Sequence, residues 1–389
     1  MSNLPYSFQT AARIVAGNGS LDRLADLVQG CGEVKRALVI AQNSAVRLGF
    51  AERIEAQLRQ AGIASERLTG MMNEPTADHI GELHARIKET PFDVYIAIGG
   101  GSVLDAAKIL SVLRTNKERV EEMVGTDRVR KPGVPTVLIP TTSGTGSEVT
   151  PNAIVTFPEE ELKIGAVSRH LLPAVALLDP ELTLELPGPV TAATGMDAFT
   201  HALESFISNK ANPISDMFAL EAMRKISGSI ETAYREGRSL KAREDMLIGS
   251  MYGGMALTGS GTAAVHALAY PLGGKFHIPH GVANSMLLPH VMAFNYDAIE
   301  ERLAEAATVM GLREGRGASR TAAAEAVIEK IAEWTKTLDI PQQLAAFGVR
   351  EEHVPELAVA ASKVTRLLDN NPKPLDIPQI EALYRKLLA

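Results

Sequence analysis

Cysteine is all but missing from this chain. Cys31 is the only one in 389 residues. An intramolecular disulfide is therefore excluded, and a structural zinc site built on thiolates has no ligands. A lone thiol fits a reducing compartment. No apolar run approaches the ~18 residues of a membrane-spanning helix. The opening stretch, Met1 to Thr10, has neither a basic n-region nor an apolar h-region, so no secretory leader is expected and the location expected is cytoplasmic. Positive charge is in deficit as well: 39 Lys and Arg against 46 Asp and Glu leave a net charge of -7, which argues against nucleic acid or an anionic membrane surface as partner. An anionic substrate stays compatible, because a local pocket can oppose the global sign. Aromatics are few, and no repeat period or low-complexity tract is visible.

Apolar residues, in contrast, make up 46%, enough for real cores, and 389 residues are too many for a single one. Two domains are expected. The first reads as alternating strand and helix signals. Ile14 and Val15 form a short strand, Ser20 is placed as the N-cap of a helix at 21–30, and 36–41 is a buried-type apolar strand. Helical patterns at 45–61 and 76–90 follow. A strand at 92–98 runs into Gly99-Gly-Gly101-Ser102, a helix spans 103–114, and a strand at 134–139 ends in Pro140-Thr-Thr-Ser-Gly-Thr-Gly-Ser-Glu148. Further strands are expected at 152–157 and 174–179. This alternation predicts a parallel, doubly wound α/β domain. The texture changes at Leu184-Glu-Leu-Pro-Gly-Pro189. Beyond it, amphipathic helices are expected near 191–208, 213–235, 240–259, 261–270, 282–292, 296–310, 318–338 and 351–366. The domains are placed at 1–187 and 188–389.

Both glycine-rich loops follow an apolar strand, the edge where α/β sheets bind ligands. Glycine lets the backbone approach a ligand, and a helix N-terminus offers N–H groups and positive partial charge to a diphosphate. The first loop is not the usual dinucleotide fingerprint, since Leu104 stands where the third glycine belongs, and alone it is equally a tight strand-to-helix turn. The second loop adds the hydroxyls of Thr141, Thr142, Ser143 and Thr145, which favours a nucleotide site.

In Gly195-Met-Asp-Ala-Phe-Thr-His-Ala-Leu-Glu204, Asp197 and His201 stand four residues apart, on one face of a helix. His266 lies further on, in a helix expected to stop near Pro271, and His280 follows a short loop. One carboxylate and three imidazoles suit Fe²⁺ or Zn²⁺. Spacing alone leaves Asp197 readable as a surface acid and His266 as a core histidine. It also leaves the choice between His277 and His280 open, and it reads Glu204 as a capping, paired or solvated residue.

These motifs, with Asp105, Lys108 and Pro279-His-Gly-Val-Ala-Asn284, resemble the iron-containing (group III) alcohol dehydrogenases over essentially the whole chain. The resemblance implies a Rossmann-like α/β nucleotide-binding domain and an all-helical C-terminal domain, the dehydroquinate synthase-like architecture, with the active site in the cleft between. It implies Asp197, His201, His266 and His280 as ligands of Fe²⁺, with Zn²⁺ as the alternative. It implies Gly99, Gly100, Gly101, Ser102, Thr141, Thr142 and Thr145 around the cofactor diphosphate and nicotinamide, with Gln42, Asp105 and Ser147 completing the set. It further implies a metal that polarises the oxygen of a small alcohol, aldehyde or ketone while hydride passes to or from NAD, and a homodimer or larger homo-oligomer.

Three departures stand out. Gln42 occupies the position where NAD-selective members tend to carry an Asp, which leaves NADP open. Tyr270 replaces a histidine suggested as a proton relay, and His277 falls where related sequences often have another polar residue. Either is a candidate for the relay. Two other readings compete: a dehydroquinate synthase-like lyase and a non-catalytic nucleotide or metal binder.

Overall fold

The computed structural model describes residues 5–72, 74–160, 162–312 and 319–388. Residues 1–4 of the lead-in and residue 318, the expected start of a helix, lie outside the described residues. The chain falls into two compact units. One comprises Gln9–Thr142 and Gly146–Glu185; the other comprises Met1–Phe8, Ser143–Thr145 and Leu186–Ala389.

The strands of the first unit are β1 (Arg13–Ala16), β2 (Arg36–Ala41), β3 (Ala64–Leu68), β4 (Val94–Gly99), β5 (Gly125–Thr126), β6 (Thr136–Pro140), β7 (Asn152–Phe157), β8 (Leu162–Val167) and β9 (Val175–Leu178). Its helices are α1 (Leu24–Gln29), α2 (Asn43–Arg47), α3 (Phe50–Gln60), α4 (Ala77–Ile87), α5 (Gly101–Leu113) and α6 (Val120–Met123). The main sheet has the order β1-β9-β6-β4-β2-β3 and is parallel throughout. A parallel sheet covered on both faces needs continuous apolar runs. β2, β4 and β6 supply them, and the two-residue period sorts their side chains into two cores. Leu38, Ile40, Tyr95, Ala97 and Leu138 pack with α4 and α5, while Val39, Ile96, Ile98 and Ile139 pack with α1 and α3. From β2 the chain moves outward to β3, and from β4 it moves the other way to β6. The carboxyl ends of β2 and β4 therefore flank the switch point, where such sheets bind ligands.

Two local expectations are corrected here. Gly19 (φ 71), not Ser20, begins the turn before α1, because Asp179 takes the Gly19 and Leu21 N–H groups (3.2 and 3.0 Å) and the Ser20 hydroxyl donates to the Leu178 carbonyl (3.1 Å). The strand at 152–157 forms as β7, but it pairs antiparallel with β8 in a separate sheet of order β5-β8-β7.

The second unit contains α7 (Gly188–Ile207), α8 (Pro213–Arg235), α9 (Leu240–Ser260), α10 (Ala264–Phe276), α11 (His280–Val309), α12 (Arg320–Thr337), α13 (Val354–Ser362), α14 (Thr365–Leu368) and α15 (Ile377–Lys386). α7 is its axis: every residue from Gly195 to Ile207 is buried, as in a helix surrounded by others. Phe199 meets Trp334 edge-on, with ring centroids 5.1 Å apart. The expected stop at Pro271 does not occur. α10 continues to Phe276 with Pro271 inside it, and α11 likewise runs through Pro289 as one helix rather than two. Proline removes one hydrogen bond from a helix interior. Here the buried faces of both helices hold them in place despite that loss. Among the described residues, no helix is long and apolar enough to cross a membrane.

Candidate metal centre

Three helices of the second unit bring four ligand-type side chains together. α7 carries Asp197 and His201 one turn apart, α10 carries His266 in its first turn, and α11 begins at His280. Asp197 Oδ1 lies 3.9 Å from His201 Nε2, 3.7 Å from His266 Nε2 and 3.7 Å from His280 Nε2. Asp197, His201 and His266 are buried, and their ligand atoms lie within 4.8 Å of one another. His280 is the one open to solvent, with a side chain 31% exposed.

The opposite ring nitrogens settle which lone pairs face the centre. His266 Nδ1 lies 2.6 Å from the Glu204 carboxylate and His201 Nδ1 lies 3.2 Å from the Gly144 carbonyl. Both partners only accept, so both Nδ1 atoms carry the hydrogen and both Nε2 atoms present a lone pair. Asn284, one turn after His280, sets its amide nitrogen 2.8 Å from Asp197 Oδ1, 3.2 Å from His266 Nε2 and 3.1 Å from His280 Nε2. One NH₂ group has two hydrogens for these three acceptors, and the Asn284 carbonyl oxygen is itself buried without a partner. Acceptors in surplus around one point are the donor set that a divalent cation fits. Burial alone would raise the Asp197 carboxyl. His201, His280, His266 and the Asn284 hydrogen bond hold it below its ordinary value instead. Burial pushes the His201 imidazole down, against the pull of Asp197. Carboxylate and neutral imidazole are the states in which these groups ligate metals.

Glycines permit the approach. A Cβ on Gly281 would stand 2.1 Å from the Ala193 carbonyl oxygen of α7, and one on Gly144 would stand 2.8 Å from Thr194 Cβ. Tyr270, one turn beyond His266 and buried, has its ring centroid 6.0 Å from that of His280. His277 is exposed at the C-cap of α10, in the left-handed region (φ 53).

In the first unit, Gln42 follows β2 and its amide oxygen accepts from Gly100 N–H (2.9 Å) at the start of α5. A Cβ on Gly99 would meet Gln42 at 3.0 Å. Thr141 N–H donates to the Gly99 carbonyl (2.9 Å), so both glycine-rich loops are tied at the switch point. Thr142 lies beside Gly100, and Thr145 belongs to the short segment counted with the helical unit. Gly101 and Ser102 open α5, whose first turn has N–H groups with no helical acceptor. Asp105 and Ser147 face each other: the Ser147 hydroxyl donates to Asp105, which also accepts from Ile154 N–H (2.9 Å). Beneath them, Lys108 donates to the carbonyls of Thr150 (3.0 Å) and Asn152 (2.7 Å). Burial pushes the Lys108 ammonium down and the neighbouring Glu148 carboxyl up to about 7.

Glu148 holds its proton more tightly folded than unfolded. Its contribution to stability is thus complete below the ordinary carboxylate range and is lost as pH rises towards about 7. Glu148→Gln should gain on the wild type by about 2–3 kcal/mol between roughly pH 5 and pH 8. Urea unfolding at both ends measures this, and a difference that does not change with pH would contradict it.

Sequence reasoning left Glu204 without a partner and did not single out Asn284. The signal was spacing: Glu204 lies three residues after His201, and Asn284 four after His280.

Comparison with known proteins follows the same two units. A family model described as iron-containing alcohol dehydrogenase matches residues 11–180, and one described as the C-terminal region of the Fe-containing alcohol dehydrogenase family matches 191–388. The chain is 38% identical to long-chain-alcohol dehydrogenase 1 of Geobacillus thermodenitrificans, with 98% of each chain covered. It is 33% identical to the NAD-dependent methanol dehydrogenase of Bacillus methanolicus, covering 96% of this chain and 97% of the relative. Among solved structures, a 1,3-propanediol oxidoreductase is similar with a TM-score of 0.95 at 33% identity, over 99% of this chain and 100% of the other.

Proposed function

Because the chain belongs to the iron-containing alcohol dehydrogenase family, we propose that Asp197, His201, His266 and His280 hold the metal at which it works. The protein is an NAD-dependent oxidoreductase that moves a hydride between the nicotinamide and an alcohol or aldehyde. The observation that carries the site assignment is the convergence of Asp197 Oδ1 with the Nε2 atoms of His201, His266 and His280.

When bound, the metal supplies Lewis-acid polarisation of the substrate oxygen and the nicotinamide exchanges the hydride. The remaining work belongs to the chain. Asp197 would give the metal its negative charge and the three Nε2 atoms would ligate as uncharged donors, so a divalent ion held there would keep net positive charge for an oxygen ligand. Tyr270 is the proton carrier: its phenol donates from Oη during carbonyl reduction. His277, exposed at the end of α10, is the alternative carrier for this proton. Gly99, Gly100, Gly101 and Ser102, with Thr141, Thr142 and Thr145, receive the diphosphate and nicotinamide side of the cofactor. Gln42 turns its NH₂ end away from Gly100 and carries no charge, so NADP is admitted beside NAD. Asp105 and Ser147 brace the second loop against α5. The work divides at 187/188, with cofactor binding before and metal chemistry after. The substrate is a small alcohol, aldehyde or ketone. The enzyme is cytoplasmic, consistent with its one cysteine, and forms a homodimer or larger homo-oligomer, as family members often do.

The test is a panel of alcohols, diols and aldehydes run with NAD(H) and NADP(H) on iron- and zinc-loaded protein, followed at 340 nm. Net nicotinamide oxidation or reduction that chelation abolishes is the expected result. Substrate consumption without a net change at 340 nm would mean a lyase, and no turnover across the panel would mean a binding protein.

A further inference from the structure

We propose that Glu204 is a positioning residue that sets the tautomer of His266 and thereby the strength of the metal site; the inference rests on the metal-site reading above. Glu204 is fully buried in α7 and both of its oxygens are engaged. Oε2 takes the His266 Nδ1 hydrogen at 2.6 Å, and Oε1 accepts from Val265 N–H at 2.6 Å. The second bond matters because α10 starts without a cap of its own: Ala263, at its N-cap, has no side-chain oxygen to offer. Glu204 supplies the acceptor from another helix, and a carboxylate is favoured at a helix N-terminus. One side chain thus fixes where α10 begins and how the imidazole in its first turn is turned.

The two buried imidazoles differ in this respect. His201 gives its Nδ1 hydrogen to a neutral backbone carbonyl at 3.2 Å, whereas His266 gives its own to a carboxylate at 2.6 Å. A carboxylate behind a ligating imidazole orients the ring and raises its basicity. His266 is therefore the stronger donor of the pair, and Glu204 is the reason.

Glu204→Gln separates tautomer from packing. The Val265 N–H still needs an acceptor, so the amide oxygen goes there and the NH₂ group faces His266 Nδ1. That nitrogen must then accept, which moves the ring hydrogen to Nε2, the atom that faces Asp197. The shape of the side chain is kept while the lone pair on the metal side is lost.

The experiment uses the full chain, ¹⁵N-labelled at histidine and freed of metal by chelation, and then titrated with Zn²⁺ against a competing chelator. The wild type should show His266 protonated at Nδ1 and bare at Nε2. The Gln variant should show the reverse and bind Zn²⁺ about 10- to 100-fold more weakly. Binding within twofold of wild type in a folded Gln variant would overturn the proposal. So would a wild-type His266 protonated at Nε2, a measurement that needs no variant and stands even if the substitution impairs folding. A wild type that binds no Zn²⁺ at all, with the Nδ1 tautomer intact, would instead count against the metal-site reading.

Discussion

His266→Ala is expected to remove metal-dependent turnover by a factor of about 10³ or more, since the Lewis-acid term is worth several kcal/mol and each 1.36 kcal/mol is tenfold. The substitution takes away one of three converging Nε2 donors and leaves the Glu204 carboxylate buried with only the Val265 N–H as partner. An uncompensated buried carboxylate costs stability, about 3–5 kcal/mol where a buried ion pair is broken by removing one partner. The loss should therefore appear in metal content, turnover and unfolding together. Nucleotide binding should largely survive, because Gln42, Gly99, Gly100 and Thr141 belong to the other unit and are held by bonds among themselves. NADH fluorescence titration and metal analysis on the same sample check both halves. Unchanged turnover in a metal-free variant would sink the assignment.

Gly281→Ala should be the most damaging methyl group added near the site. A Cβ there stands 2.1 Å from the Ala193 carbonyl oxygen and 2.7 Å from its carbon. Backbone cannot swing away like the end of a side chain, so the start of α11 must move off α7. His280 is the residue before it, and it moves too. Overpacking of this kind costs about 1–3 kcal/mol, at times more. Weaker metal binding is expected on top of a lower Tm. Gly228→Ala serves as the internal control. It lies within α8, a Cβ there meets nothing within 4 Å, and the helix gains roughly 0.5–1 kcal/mol from losing a glycine. Equal unfolding temperatures for the two variants would contradict the steric argument.

Much of this arrangement was legible in the residues. The runs at β2, β4 and β6 read as buried strands because a sheet covered on both faces requires them to be apolar. The four-residue step from Asp197 to His201 placed two ligand-type side chains on one helical face. Where reading failed, neighbours decided. β3, Ala-Ser-Glu-Arg-Leu, is an edge strand with three polar residues in five, so nothing in it reports the β2 partner that makes it a strand. Pro271 looks like a stop, yet it sits inside α10, whose burial outweighs one missing hydrogen bond. α15 lay past the last helix expected, although Asp376 and Gln379 form the capping box that could have announced it. The partnership of Glu204 with His266 spans 62 residues. Spacing puts Glu204 on the same face of α7 as His201, but it does not name the partner 62 residues away.

α11 has a wider consequence. It is a single helix of 30 residues, about 45 Å long, and its first residue is His280. This proposed ligand is the tip of a strut whose shaft packs against α7, α10 and α12 and whose middle is stitched to the C-terminal segment through the paired amides of Asn295 and Asn371 (2.9 and 2.8 Å). A substitution that shifts the shaft is expected to shift the His280 imidazole with it. If the proposed site holds its ion, ion retention becomes a gauge of the integrity of the helical unit, and the ion would in turn clamp the strut to α7 and α10.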